Sequence, residues 1–320
     1  MPFLYILFWG SLATFLFVLS SFLILIFKFS HCWDWKIFLH LDYFYILAAF
    51  GLIFLYHTFD MLRLKTIAEV YNIKYSTLYG YLMSFIATFG ATITPAHVGG
   101  ELIIFYLLHR LRIKRHKIVG TIIFKTVSGF SFFLITLPIL FVNIFKNPHL
   151  LDKVLILAAI FILFGILSLP LVVWLRKKEE NKQGFLKKIK LYCLAIIYFW
   201  KKDKVAFLKA CLYSIMLYVV FLNFAPVLLK ALRVDFDLWE IYLLQLPLIY
   251  AIFSSPSPGG SGVGELGGIA IFQGIIPPSL LGIFVILWRF FSQYFSAIVG
   301  GILFIHLLLK DIHQLKKERI

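Results

Sequence analysis

The amino-acid sequence predicts an all-α polytopic membrane protein, and three observations carry that prediction. Of the 320 residues, 62% are hydrophobic and only 14% charged, where soluble domains lie nearer half apolar and a quarter charged. Phe3–Phe27 runs for 25 residues and Val154–Leu175 for 22 without one charge, and about 20 apolar residues cross a bilayer core as a helix. The Lys and Arg residues gather in a subset of the connecting segments, as positive-inside sorting requires. The expectation is a single integral membrane domain over residues 1–320, with no room for a separate soluble domain.

About eight transmembrane segments are expected: Phe3–Phe27, Tyr43–Phe59, Leu78–Ile93, Ile118–Phe145, Val154–Leu175, Val205–Leu229, Ile241–Phe253 and Leu280–Leu309. The first is too long for the apolar region of a cleaved signal and is expected to remain as a span. Two further apolar pieces, Pro95–Leu108 and Pro258–Ile276, follow the third and seventh spans. The first of these is about 14 residues long, short for a crossing and typical of a re-entrant segment. The segments Asp60–Thr77, Arg110–Lys117, Arg176–Lys204 and Lys310–Ile320 hold 22 Lys and Arg, against 6 in Lys28–Asp42, Lys146–Lys153 and Lys230–Asp237. That asymmetry places both termini in the cytoplasm and the chain in the cytoplasmic (inner) membrane.

Within the basic cytoplasmic segment 176–204, "LYCLAIIYFW" stands between lysine clusters and is too short to span. It reads as an interfacial helix whose neighbouring cations face anionic inner-leaflet lipids, with positive-inside sorting alone as the other reading. The same placement of cations argues against a nucleic-acid partner despite the net charge of +16. Cys32, Cys193 and Cys211 have no disulfide or metal spacing, and the nine histidines form no paired motif on a helix. Neither a metal nor another cofactor is expected.

With both termini inside, the third span and Pro95–Leu108 begin and end on the cytoplasmic face. The seventh span and Pro258–Ile276 begin and end outside. The two breaks read alike, "PAHVGGEL" at 95–102 and "PGGSGVGEL" at 258–266. One residue of gap sets Glu101 on Glu265 at an offset of 164, and Lys125 falls on Arg289 at the same offset, so acid and base lie 24 residues apart in each half. These four are the strongly ionisable residues expected well inside the bilayer. The pattern predicts an inverted-topology repeat, approximately 43–175 and 205–309, whose two re-entrant broken hairpins meet near the midplane.

Proline ends one limb of each hairpin and glycine permits the turn. Backbone that leaves a helix at this depth must be buried in protein or line a wet cavity. The following helix starts at a Gly-Glu step, so its free N–H groups and positive end aim inward, an arrangement that favours an anion. The candidate lipid- or anion-binding residues are therefore Pro95, Gly99, Gly100, Glu101, Lys125, Pro258, Gly259, Gly260, Gly262, Gly264, Glu265 and Arg289. Glu–Lys and Glu–Arg pairs could instead be structural, locking each hairpin to the next helix. Charge inside a membrane is costly and commonly functional.

On these residues the sequence resembles the lysylphosphatidylglycerol synthase transmembrane-region family, also called the flippase-like membrane family. "TPAHVGGEL" is similar to the family's T-P-x-x-x-G-E box, "SPGGSGVGEL" to its P-G-G-x-G-x-E box, and "WRF" at Trp288–Phe290 to its late arginine helix. Arg63 fits its early arginine. His97, the doubled Gly99–Gly100 and Lys125 depart from the pattern. The resemblance implies lipid translocation, since its best-known members are the membrane halves of multiple peptide resistance factors, which flip aminoacylated phosphatidylglycerol. Those also carry a soluble synthase domain with no counterpart here, so a stand-alone translocating module rather than an enzyme is expected. Its partner would be a membrane phospholipid or a lipid-linked substrate, and a homodimer is compatible with it.

Other readings stay open. A polytopic enzyme or accessory subunit acting on lipid-linked sugar would rest on "DFDLWE" at 235–240, a D-x-D able to hold a metal, although either acid could simply cap a helix. A small-anion transporter is the third reading. With no P-loop there is no built-in ATP drive. The lipid, its direction and the energy source are not specified by these residues.

Overall fold

Apolar runs set the lengths of the elements, and polar caps set their starts. The computed structural model describes residues 35–146, 148–176 and 197–317, with a few isolated positions besides. The expected span Phe3–Phe27 and most of the basic segment 176–204 lie outside the described residues. Among those described, the regular structure is helical: a 3-10 turn at Trp35–His40, then α1 (Tyr43–Val70), α2 (Thr77–Thr92), α3 (Val98–Arg110), α4 (Arg115–Lys146) and α5 (Pro148–Arg176). After these come α6 (Lys204–Ala231), α7 (Leu238–Ser254), α8 (Val263–Phe272), α9 (Pro278–Arg289), a π-helical turn at Phe290–Tyr294 and α10 (Phe295–Lys317).

Among the described residues, five stretches are long and apolar enough to cross a membrane: Tyr43–Val70, Arg115–Lys146, Leu150–Leu167, Lys204–Ala231 and Pro278–Asp311. The chain is thus an all-α polytopic membrane protein. Large apolar side chains such as Leu134, Ile162, Leu163, Ile298 and Ile302 stand on outer faces, where lipid rather than water solvates them. Asp42, Ser76, Asp203 and Asp237 start α1, α2, α6 and α7, each accepting a bond from a backbone N–H of the first turn. The second acid of "DFD" is thereby engaged as a helix cap.

Two expectations are corrected in outline. The second span does not end at Phe59, because α1 continues through Asp60 to Val70. The last span is not one α-helix, because a π-turn after Arg289 inserts an extra residue and re-aims the side chains that follow.

Helix α1 packs along α6, α10 packs along α2, and α8 lies between α5 and α7. A β-carbon on Gly300 would stand 2.1 Å from the carbonyl oxygen of Phe85, so the α10 and α2 backbones touch as only small residues allow. One apolar cluster gathers α6, α7, α8 and α9, while a second gathers α2, α3 and the end of α10. Residues 197–202 form a helical turn. There Phe199 stacks on Phe124 of α4 at 3.6 Å, and Lys202 Nζ donates to the Val70 carbonyl at 2.5 Å.

Candidate functional site

The two broken hairpins, α2–α3 and α7–α8, touch at their tips. Pro95 and Pro258 face each other in an isolated antiparallel bridge. Each proline is followed by two residues in the left-handed region: Ala96 and His97 at φ 53° and 59°, Gly259 and Gly260 at φ 59° and 65°. The tips thus bend the same way, but only the second uses glycines, for which that conformation carries no steric penalty. Gln293, presented by the π-turn, joins the hairpins by donating to the Gly259 carbonyl at 2.9 Å and to Thr92 Oγ1 at 3.2 Å.

At the α7–α8 tip Glu265 and Arg289 balance each other, with Arg289 Nη1 left without a partner. Glu265 takes the third position of α8, accepting from the Gly262 N–H at 2.6 Å through Oε2 and from Arg289 Nε at 3.0 Å through Oε1. Tyr294 donates to the same Oε1. Arg289 also donates Nη2 to the Gly259 carbonyl at 3.2 Å. Both side chains of the pair are fully buried. Gly264 makes room for this: a β-carbon there would stand 2.6 Å from the Arg289 guanidinium carbon. Arg289 therefore lies flat on the first turn of α8. An ion pair withdrawn this far from solvent persists only with good geometry and satisfied lone pairs, and Glu265 has three donors.

The α2–α3 tip is built differently. Thr94 Oγ1 accepts from the Gly99 N–H at 2.7 Å, and Gly99 and Gly100 are buried against α2. Glu101 is half-buried and accepts from Thr126 Oγ1 at 2.5 Å. Its expected partner, Lys125, turns instead to Asp60 on α1, with Nζ 3.5 Å from Oδ1. Among the described residues Glu101 forms no ion pair. The Glu101–Lys125 pairing expected from the 24-residue spacing is thus corrected: α1 packs against α4 and brings a carboxylate closer.

Asp60 is the centre of a second polar cluster. Arg63, one turn along α1, donates Nη2 to Asp60 Oδ1 at 2.5 Å and Nη1 to Ser214 Oγ of α6 at 3.4 Å. Ser84 of α2 donates to Asp60 Oδ2 at 2.7 Å. His57 sits between Ser84 (Nδ1, 2.8 Å) and Ser296 of α10 (Nε2, 2.9 Å), stacked on Phe85. Ser84 has one hydroxyl proton, given to the carboxylate, so His57 Nδ1 carries a hydrogen and donates to Ser84. The neutral ring then accepts at Nε2 from Ser296. Asp60, Arg63 and His57 are all buried, although Asp60 and Arg63 were expected in a solvated connection. Four α-helices and α10 meet at this point. Two cations, Arg63 and Lys125, share one carboxylate there, and Arg63 Nε has no partner.

Of the twelve residues singled out from the sequence, all but Lys125 lie on the two hairpins or in the Glu265–Arg289 pair against the α7–α8 tip. Lys125 belongs to the Asp60 cluster. Asp60, His57, Ser84, Ser214 and Ser296 were missed. The usable signal was an acid three residues before a base, Asp60 and Arg63, on one helical face directly after an apolar run.

Residues 9–300 match the family described as lysylphosphatidylglycerol synthase TM region. A UPF0104 membrane protein of Archaeoglobus fulgidus is 22% identical over 318 residues, covering 90% of this chain and 94% of that protein.

Proposed function

The chain belongs to the lysylphosphatidylglycerol synthase transmembrane-region family, and from that premise we propose that it translocates an anionic or modified (aminoacyl- or glyco-) lipid across the cytoplasmic membrane, as a flippase or scramblase. The observation that carries this reading is the polar cluster at Asp60, where Arg63 and Lys125 share one carboxylate and the half-buried Glu101 is the next acid to Lys125. Two buried cations that contact a single carboxylate are incompletely paired, and incomplete pairing at low dielectric is costly. A lipid phosphate arriving at Lys125 and the free Arg63 Nε offsets that cost and recovers part of what it loses in leaving water. The Glu265–Arg289 pair balances one cation with one carboxylate, although Arg289 Nη1 is also without a partner, and supports the fixed half of the machine.

The two hairpins meeting tip to tip, and the long contact of α1 with α6, support an inverted repeat of about 43–175 and 205–309 whose halves rock about a central site. The cations of Arg110–Lys117 then face the cytoplasm and the 231–237 connection faces outward. A cysteine placed by Lys114→Cys should react with an impermeant reagent from the inside alone, and one placed by Asp235→Cys from the outside alone. Labelling of both from one side contradicts the arrangement.

The activity itself is read in vesicles. Purified full-length protein in phosphatidylcholine liposomes should move fluorescent phosphatidylglycerol between leaflets faster than fluorescent phosphatidylcholine. Protein-free rates for both lipids, with folded protein present, contradict lipid translocation.

A further inference from the structure

The outward face of α3 carries a groove of about 480 Å³, within the size range of small-molecule sites. Leu102, Phe105, Tyr106 and His109 line it at helical i, i+3, i+4 and i+7 positions, and Arg115, the first residue of α4, closes one end. From Leu102 to His109 the helix rises about 10 Å, against a half-thickness of about 15 Å for a bilayer core. The apolar wall therefore covers most of one leaflet's acyl depth and ends at a cationic rim.

That rim lacks counter-charge. Asp311 is bound by Arg110 through Nε and Nη2, at 2.8–3.0 Å, and by the Tyr106 hydroxyl at 2.6 Å. Arg112, Lys114, Arg115 and Lys117 form no ion pair among the described residues. The first turn of α4 holds Arg115, His116 and Lys117 and no acid. An apolar slot of leaflet depth beneath unpaired cations fits one kind of molecule, with apolar chains below and a negative charge at the interface.

We propose that this groove binds one anionic glycerophospholipid of the surrounding leaflet, with an acyl chain along Leu102 and Phe105 and its phosphate at Arg115 and His109. Leu102, at the inner end of the slot, follows Glu101 in the chain, and Glu101 lies within electrostatic reach of Lys125, so the lipid waits beside the proposed pathway. This last step rests on the translocation reading; the binding does not.

The test reads binding alone. Full-length protein with photoreactive benzoylphenylalanine in place of Phe105 is illuminated in vesicles of mixed phosphatidylglycerol and phosphatidylcholine, and the adducts are identified by mass spectrometry. The same probe in place of Leu134, an exposed apolar position on α4, reports the bulk leaflet. The Phe105 position should show a several-fold excess of phosphatidylglycerol adduct over the Leu134 position, and Arg115→Gln should remove the excess while the Leu134 ratio stays fixed. Equal ratios at the two positions overturn the proposal, as do adducts formed with the chain's own residues 1–34. Enrichment at Phe105 in a protein that transfers no lipid would instead contradict translocation and leave this site standing.

Discussion

The α7–α8 and α2–α3 hairpins share a proline, a left-handed double turn and a Gly-Glu helix start, yet they hold their charges in opposite ways. In α7–α8 the left-handed residues are glycines and Glu265 is closed off by Arg289, Tyr294 and its own helix start. In α2–α3 they are Ala96 and His97, and Glu101 has a threonine in place of a base. The base that would match it, Lys125, is drawn to Asp60. One tip therefore has a fully paired carboxylate and left-handed residues free of strain. The other keeps backbone strain of roughly 1–2 kcal/mol per non-glycine residue and stands beside Lys125, which shares its carboxylate with Arg63. Two tips of like sequence can thus be built differently, one closed around its carboxylate and the other leaving its carboxylate without a base.

The sharpest way to break this comparison is to open the closed tip. Glu265→Gln or Arg289→Gln should lower stability by about 3–5 kcal/mol, since either strands a buried charge, and thermal unfolding of the purified protein would show it. The double substitution should cost less than the sum of the singles; simple additivity would mean that the pair is not coupled. Next in size is Gly259→Ala, which adds a β-carbon at positive φ only 2.6 Å from Gln293 Nε2 and 2.8 Å from the Thr92 carbonyl. Strain and overpacking together predict a loss of about 2–4 kcal/mol. The reverse exchange at the open tip, Ala96→Gly, should raise stability by about 0.5–1 kcal/mol, because relief of strain exceeds the added chain entropy. A lower unfolding midpoint for Ala96→Gly would remove the strain from the comparison.

Much of this architecture can be read from residues alone. Apolar runs located the helices, and Pro with clustered Gly located both tips. The 24-residue spacing found Glu265 with Arg289, which meet across the consecutive helices α8 and α9. The same spacing failed for Glu101 and Lys125. Their partners are decided by how α1 packs on α4, a contact between distant parts of the chain that no local period encodes. Asp60 was read as the end of a span because a charge normally ends one. Here Arg63 and Lys125 neutralise it, so the helix continues. The π-turn at Phe290–Tyr294, which presents Gln293 and Tyr294 to the tips, has no signature in the apolar pattern.

The central claim is that Lys125, beside Asp60, and not the Arg289 pair, handles the lipid phosphate. Lys125→Gln tests it most directly, by inter-leaflet transfer of fluorescent phosphatidylglycerol in vesicles at matched amounts of folded protein. Loss of one charged contact, worth roughly 1.5–3 kcal/mol, predicts transfer slowed about tenfold or more, with the unfolding midpoint held near that of the unaltered chain. Transfer at the unaltered rate, or a loss of transfer that merely follows a loss of folded protein, would contradict the account.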